Sequence, residues 1–375
     1  MKEIIGPNLK TARDLAGLRQ EVFAEQLGIS RATLSAIENG HVSIDSGILL
    51  RAANLLGRPI SDFFKDEPEA MALLYRAAVD IAAPSDAKLE FEHFCSSYRE
   101  LEQLVGVADN LLTPPAYDYF PHVHSKPDHF AVQVAAAERE RLGVGQQEPV
   151  ENIFQLLDEQ GVRILALEMK DRDVYGLSGF SPQYGPCILL NAVNTVERRI
   201  FSLAHEYGHL LMHRSFYRSK EPASGLPKDH DLEQMANVFA ANFLVPDVAL
   251  KIAFQRSIGD KPVGIEDVVF LKRYFKVSAD MMIRRLKDLG LLDANSADSL
   301  MTEVNRRRPD PTQEIAPLQS DLFGEWKRLN RFDHLARKAA LDNLVSLGKL
   351  AELLGLNIVE ARKRVQEWRR DVSAA

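Results

Sequence analysis

Cysteine is nearly missing: Cys95 and Cys187 are the only two in 375 residues. Two thiols build no disulfide framework, so a reducing cytoplasm is the expected setting. Long apolar runs are missing too. No stretch of about eighteen apolar residues occurs, so no membrane-spanning helix and no membrane partner are expected. The opening MKEIIGPNLKTARD lacks the apolar segment of a secretory signal, and none is expected. Nor is there an excess of positive charge. The formal net charge of -7 argues against a surface coated for nonspecific nucleic-acid binding. It leaves room for a small DNA-reading module. Residues 1–66 carry eight Lys/Arg and eight Asp/Glu, so tight DNA binding there needs two copies or a favourable local arrangement of charge. What is present, 46% hydrophobic and 26% charged residues, is a normal balance for a globular protein, and 375 residues are enough for two or three domains.

Residues 5–66 read as about five short helices, and residues 19–40 (RQEVFAEQLGISRATLSAIENG) carry the information. A helix over 20–27 turns Val22, Phe23, Ala24 and Leu27 inward. Gly28 permits a tight turn. Ser30 caps a second helix over 31–38, with Leu34 and Ile37 inside and Gly40 placed to end it. Such a pair places a recognition helix in the major groove. Its outward positions are Arg31, Ala32, Thr33, Ser35 and Ala36; Gln20, Asn39 and His41 are placed for the DNA backbone. Arg31 suits guanine or phosphate equally. A small helical bundle with a protein-docking role would show a similar pattern. The run LGISRATLSAIENG resembles the phage-repressor (XRE-like) helix-turn-helix nearly throughout, with one departure: Arg19 stands where a small polar residue is usual. The resemblance implies binding to double-stranded operator DNA, as a homodimer on two half-sites.

Residues 67–127 read as a helical connector, ending in the proline-broken run PPAYDYFPHVHSKP. His122 and His124 alternate there, but no third ligand is near, so a boundary loop is the expectation. Beyond helical stretches at about 128–142 and 150–160, three short strands are expected at 162–167, 174–180 and 187–191. These define an α+β domain with a small sheet, whose free edge suits an extended peptide. Cys187 opens the last strand with no base beside it and reads as a structural thiol.

The strongest chemical signal is RRIFSLAHEYGHLLMH, residues 198–213. His205 and His209 stand four apart, which puts both imidazoles on one face of a helix, able to grip one ion. Glu206 is one step round, in reach of water beside that ion. Zinc suits two imidazoles, a carboxylate and a water. A surface helix with two histidines is the bland alternative, but this helix is otherwise apolar, and polar groups there need a reason. A second apolar helix, HDLEQMANVFAANFLVP at 230–246, offers Glu233 as third ligand and Asn237 to orient a histidine ring. His213 lies four beyond His209 and is read as a supporting histidine; Tyr207, His213 and His230 are candidate oxyanion donors by proximity in sequence.

Together these stretches resemble the ImmA/IrrE-type zinc metallopeptidases, which cleave regulatory repressors, over about residues 150–250. The resemblance implies zinc on His205, His209 and Glu233, and Glu206 as the catalytic base. The family's ANxFAxxLLxP pattern is present with Phe243 for a leucine, and Met235 stands where many relatives carry a second acid. The same resemblance implies an endopeptidase of narrow specificity, acting on a repressor or other regulatory protein. A noncatalytic repressor, or an antitoxin-like binding protein that uses the metal domain as a sensor, is the alternative.

Residues 264–292 read as a helix pair that accompanies the peptidase core, 293–321 as a linker, and 322–375 as a helical C-terminal region. The expected organisation is a multidomain chain. An all-α helix-turn-helix domain (1–66) and connector (67–127) precede an α+β zincin-like metallopeptidase domain with accessory helices (128–292), the linker and the C-terminal helices.

Overall fold

A computed structural model describes the chain apart from residues 1, 17, 57, 59, 65–71, 75–84, 108–112, 120–125, 170, 172–173, 182–183, 215–228, 311 and 374–375. The first domain holds α1 (Lys2–Leu15), α2 (Gln20–Leu27), α3 (Arg31–Glu38), α4 (Ser46–Leu55) and a 3-10 turn at Ile60–Phe64. Gly28 ends α2 in the left-handed region, at φ 71°, which spares the turn the strain a Cβ would bring. Ser30 Oγ then accepts the Thr33 N–H at 3.1 Å and starts α3. Leu9, Phe23, Leu27, Leu34, Ile37 and Phe63 form the centre of a separate small core. Val22, expected inside, is 43% exposed: a helix this short turns only one narrow face inward, and Phe23, Ala24 and Leu27 fill it. Glu38 is buried and held by Arg13, whose Nε and Nη2 donate to it at 2.6 and 3.1 Å.

The central region is built on a sheet of four strands, one more than expected: β1 (Ala72–Leu74), β2 (Arg163–Leu167), β3 (Gly176–Ser181) and β4 (Gly185–Asn191). Their order is β1-β3-β4-β2. β3 runs antiparallel to both β1 and β4, while β2 lies parallel to β4. β1 corrects the reading of the connector 67–127 as helical; α5 (Ser85–Val105) is its main described helix. Residues 72–74 are short and apolar, and pairing with β3 decides their conformation where local preference does not.

The sheet separates two cores. Ile164, Ile188 and Leu190 face α8 (Val196–Met212) and α9 (Asp229–Leu244), together with α6 (Pro127–Arg141) and α7 (Ile153–Glu159). Leu177, Cys187 and Leu189 face the other way, against α5 and the C-terminal helices. The alternation Cys187, Ile188, Leu189, Leu190 therefore has no polar face, because β4 is covered on both sides.

Beyond α9 come α10 (Asp247–Ser257), α11 (Ile265–Phe275), α12 (Ala279–Asp288) and α13 (Ala294–Arg307). α13 lies in the stretch read as a linker; it buries Ala297, Leu300 and Val304 at helical spacing. Residues 315–318 are also fixed. Buried Lys272 donates to Glu197 at 3.0 Å and to the carbonyls of Ile315 and Ala316 at 2.9 and 3.1 Å. The last helices, α14 (Leu322–Leu329), α15 (Arg331–Leu341), α16 (Leu347–Leu353) and α17 (Ile358–Ser373), are no loose appendage. Leu335, Ala339, Leu350, Leu353 and Trp368 complete the core on the second face of the sheet. Glu102 of α5 ties that face together, accepting from Arg163 of β2 at 2.7 Å and from Arg331 of α15 at 2.5 Å. No single helix among the described residues is long and apolar enough to cross a membrane.

Candidate metal centre

Thr195 starts α8 by accepting the Arg198 N–H at 3.3 Å, and Leu203, Ala204, Leu210 and Leu211 anchor it in the core. Gly208 sits where α8 meets α9. A Cβ there would stand 2.8 Å from the Phe239 ring, so the glycine lets the two helices approach closely. That approach brings Glu233 of α9 to the histidines of α8.

The His205 and His209 Nε2 atoms lie 3.2 Å apart. Glu233 spans them: Oε2 is 3.2 Å from His205 Nε2, and Oε1 is 3.4 Å from His209 Nε2. The three ligand atoms all fall within 4.8 Å of one another, a cluster able to chelate a metal ion. The opposite ring nitrogens are occupied. His205 Nδ1 meets Asn237 Oδ1 at 3.0 Å, and His209 Nδ1 meets His213 Nδ1 at 2.8 Å. Both rings are thereby oriented with Nε2 towards Glu233. His213 is fully buried behind His209.

Glu206 is buried beside this cluster, and Ser178 Oγ of β3 donates to its Oε2 at 2.5 Å. Burial pushes the Glu206 carboxyl above its ordinary range, while His205, His209 and Ser178 oppose the rise. Burial alone would raise Glu233, but hydrogen bonding and charge from His205 and His209 hold it well below the usual carboxylate range. Burial pulls His205 down, yet its bond to Glu233, with Glu206 nearby, leaves its pKa raised.

Two residues of the site have no obvious signal in the sequence. Ser178 is adjacent to Glu206 only through the sheet-to-helix packing. Gly208 lies inside HExxH itself, where its smallness is the one clue to a packing requirement. Tyr207, a candidate oxyanion donor, points elsewhere: its hydroxyl donates to Glu138 of α6, and its ring packs on Phe239 and Phe243. Tyr207 is two residues from each histidine, which turns it by about 200°, to the opposite face of the helix. His122, His124 and the side chain of His230 lie outside the described residues. Cys187 is buried, with its sulfur against the carbonyls of Tyr184 and Gly185 at 3.9 and 3.7 Å.

On the first domain, Arg31, Ala32, Thr33, Asn39 and His41 are exposed, while Gln20, Ser35 and Ala36 are half-buried. Gln20 links the two helices: its amide donates to Glu38 at 2.8 Å, and its carbonyl oxygen accepts from Arg31 Nε at 3.3 Å. Arg31 also pairs with Glu21 at 2.9 Å, both side chains in solvent.

Two parts of the chain match known families. Residues 9–63 match the helix-turn-helix family, and residues 157–287 match the IrrE N-terminal-like domain of peptidases. The chain is an N-terminal helix-turn-helix domain fused to an IrrE-like peptidase domain, whose His-His-Glu cluster is consistent with a zinc metalloendopeptidase active site. No curated protein matches the chain. Solved structures similar to it include Bacillus thuringiensis PlcR in complex with a peptide and DNA, 14% identical over 99% of this chain and 96% of that one, with TM-score 0.18. ComR from Streptococcus suis is 12% identical, over 99% of this chain and 94% of that one, with TM-score 0.15. The apo form of the competence regulator ComR from Streptococcus vestibularis is 14% identical, over 100% and 98%, with TM-score 0.16. At such TM-scores these likenesses carry no argument about fold or function.

Proposed function

We propose that this chain is a cytoplasmic, operator-binding regulator whose IrrE-like domain is a zinc-dependent endopeptidase for a specific regulatory protein. The observation that carries this reading is Glu206: a buried carboxylate, fixed by Ser178, directly beside two imidazoles and a carboxylate that converge. A noncatalytic sensor has no use for a base in that position.

The donor set fits zinc, which favours imidazole and carboxylate ligands with an open position. Glu233 Oε1 supports the fit: the atom is buried, and its facing group, His209 Nε2 at 3.4 Å, makes no well-formed hydrogen bond to it. His205, His209 and Glu233 would hold the ion, with Asn237 and His213 orienting the two rings. When bound, zinc supplies Lewis acidity to the attacking water and the scissile carbonyl. Glu206 Oε1 takes the water's proton while Ser178 holds Oε2 still, and the same carboxyl returns the proton to the leaving amine. Proteome-wide mapping of new N-termini tests this in cells carrying the wild type or Glu206→Gln. A small set of cleavage sites that depends on Glu206 is expected; identical maps would contradict it.

For DNA, Arg31, Ala32, Thr33, Ser35 and Ala36 form the groove-facing side of α3, and Gln20, Asn39 and His41 contact phosphate, in a homodimer on two half-sites. We place the DNA-reading unit at 1–66 and the peptidase unit at 128–292, completed by β1 and α5 from the connector 67–127, which add a strand to its sheet and a helix to its second core. Selection from random duplexes should yield a two-fold repeated site, and Arg31→Ala should weaken binding to it. Loss at one base position would assign Arg31 to base reading, and a uniform loss to phosphate; an unchanged affinity would remove it from the interface.

A further inference from the structure

β3 carries Ser178, the residue that holds Glu206, and its two neighbours in the sheet differ in origin. β4 belongs to the same hairpin. β1 comes from the chain between the DNA-binding domain and α5. Its register is antiparallel, with Ala72 opposite Phe180, Leu73 opposite Gly179 and Leu74 opposite Ser178. Without β1, β3 would be an edge strand beside the metal-binding helix. An edge strand binds an extended peptide through main-chain hydrogen bonds. Paired residues on antiparallel strands have their Cα atoms about 4.5–5.5 Å apart. A peptide in the place of β1 would therefore run past the residue that fixes the base. The segment that fills this place is three residues long, uncharged and apolar. So short a strand gains little on its own and is open to displacement.

We propose that Ala72–Leu74 is a resident occupant of the β3 edge and restrains the peptidase by filling the position that an extended substrate takes beside β3. An extended, uncharged, apolar segment of the target protein displaces it by pairing antiparallel with β3. This rests on the endopeptidase reading above. It gives that reading a source of restraint: a tethered competitor acts at an effective concentration that reaches about the millimolar range, so only a well-matched target takes the edge. Ordinary peptides would be poor substrates even with the metal in place.

The test uses the full chain carrying Glu206→Gln, so that nothing is cut, with and without Leu73→Pro. The probe is a fluorescent synthetic peptide centred on the sequence Ala-Leu-Leu. Leu73→Pro should bind it at least about tenfold more tightly, equivalent to about 1.4 kcal/mol. Amides of residues 178–180 should exchange faster in Leu73→Pro and be protected again when the peptide is added. Leu73→Asp, which keeps the backbone donor, should behave alike and guards against a proline-specific folding defect. Zinc content is measured on the same samples. Zinc-loaded variants with unchanged peptide affinity and unchanged exchange overturn the inference alone. Tighter peptide binding in variants that take up no zinc overturns the peptidase reading and leaves the edge as a peptide site.

Discussion

Ser178 Oγ donates to Glu206 Oε2 at 2.5 Å, a contact that joins the sheet to the metal-binding helix at the one acidic side chain of HExxH. Without it, a buried carboxylate oxygen loses its partner, at a cost of about 1–3 kcal/mol. Ser178→Ala should therefore lower cleavage of a target by about tenfold or more while zinc content stays at the wild-type value. Both are read on one preparation. An unchanged rate would remove Ser178 from the machinery.

Gly208 controls the spacing of α8 and α9. In Gly208→Ala the new methyl group meets Phe239, whose Cδ1 would lie 2.8 Å away. Overpacking of this kind costs about 1–3 kcal/mol. Because Glu233 is on α9 and the histidines are on α8, spreading the helices should also weaken metal binding. Thermal unfolding and zinc titration check the two effects, and full zinc affinity in Gly208→Ala would contradict the coupling.

Legibility in the sequence differs from element to element. The turn at Gly28 and the cap at Ser30 are local devices, and they read directly. His205 and His209 read from their spacing, because four residues on a helix bring side chains to one face. Glu233 lies on a different helix, and no spacing rule reaches so far; a polar face on an apolar helix offers it, and the resemblance implies its role. Ser178 and β1 are hidden for the same reason, since both are defined by pairing across the fold. α13 is hidden for another: its polar composition conceals the period of Ala297, Leu300 and Val304.

The C-terminal helices contribute to the core of the peptidase region through Glu102, whose side chain is fully buried between Arg163 and Arg331. Breaking a buried ion pair by removing one partner costs about 3–5 kcal/mol. Glu102→Gln should lower the unfolding temperature markedly and speed proteolysis within residues 331–373. Proteolysis at the wild-type rate would mean that these helices are held mainly by their apolar contacts.

Glu314 gives a pH-dependent prediction. Burial raises its carboxyl above the ordinary value, against the opposing charges of Lys272 and Arg308. A raised folded pKa means that the group's contribution is present below its unfolded pKa and is lost as pH rises through the folded one. At neutral pH the charged form therefore weakens the fold. Lys272 still pairs with Glu197 when Glu314 is neutral. Glu314→Gln should unfold at a higher temperature than wild type at about pH 7, with the gap closing towards about pH 4. A gap that widens on acidification would reverse the sign.

The central claim is tested most directly by elemental mass spectrometry of the purified full chain, beside His209→Ala, with neither exposed to chelator or a metal-affinity column. One zinc per chain in the wild type, lost in the variant, is the predicted result. No metal in either, with no uptake of added zinc, would contradict the account and leave a DNA-binding regulator on a peptidase scaffold without its ion.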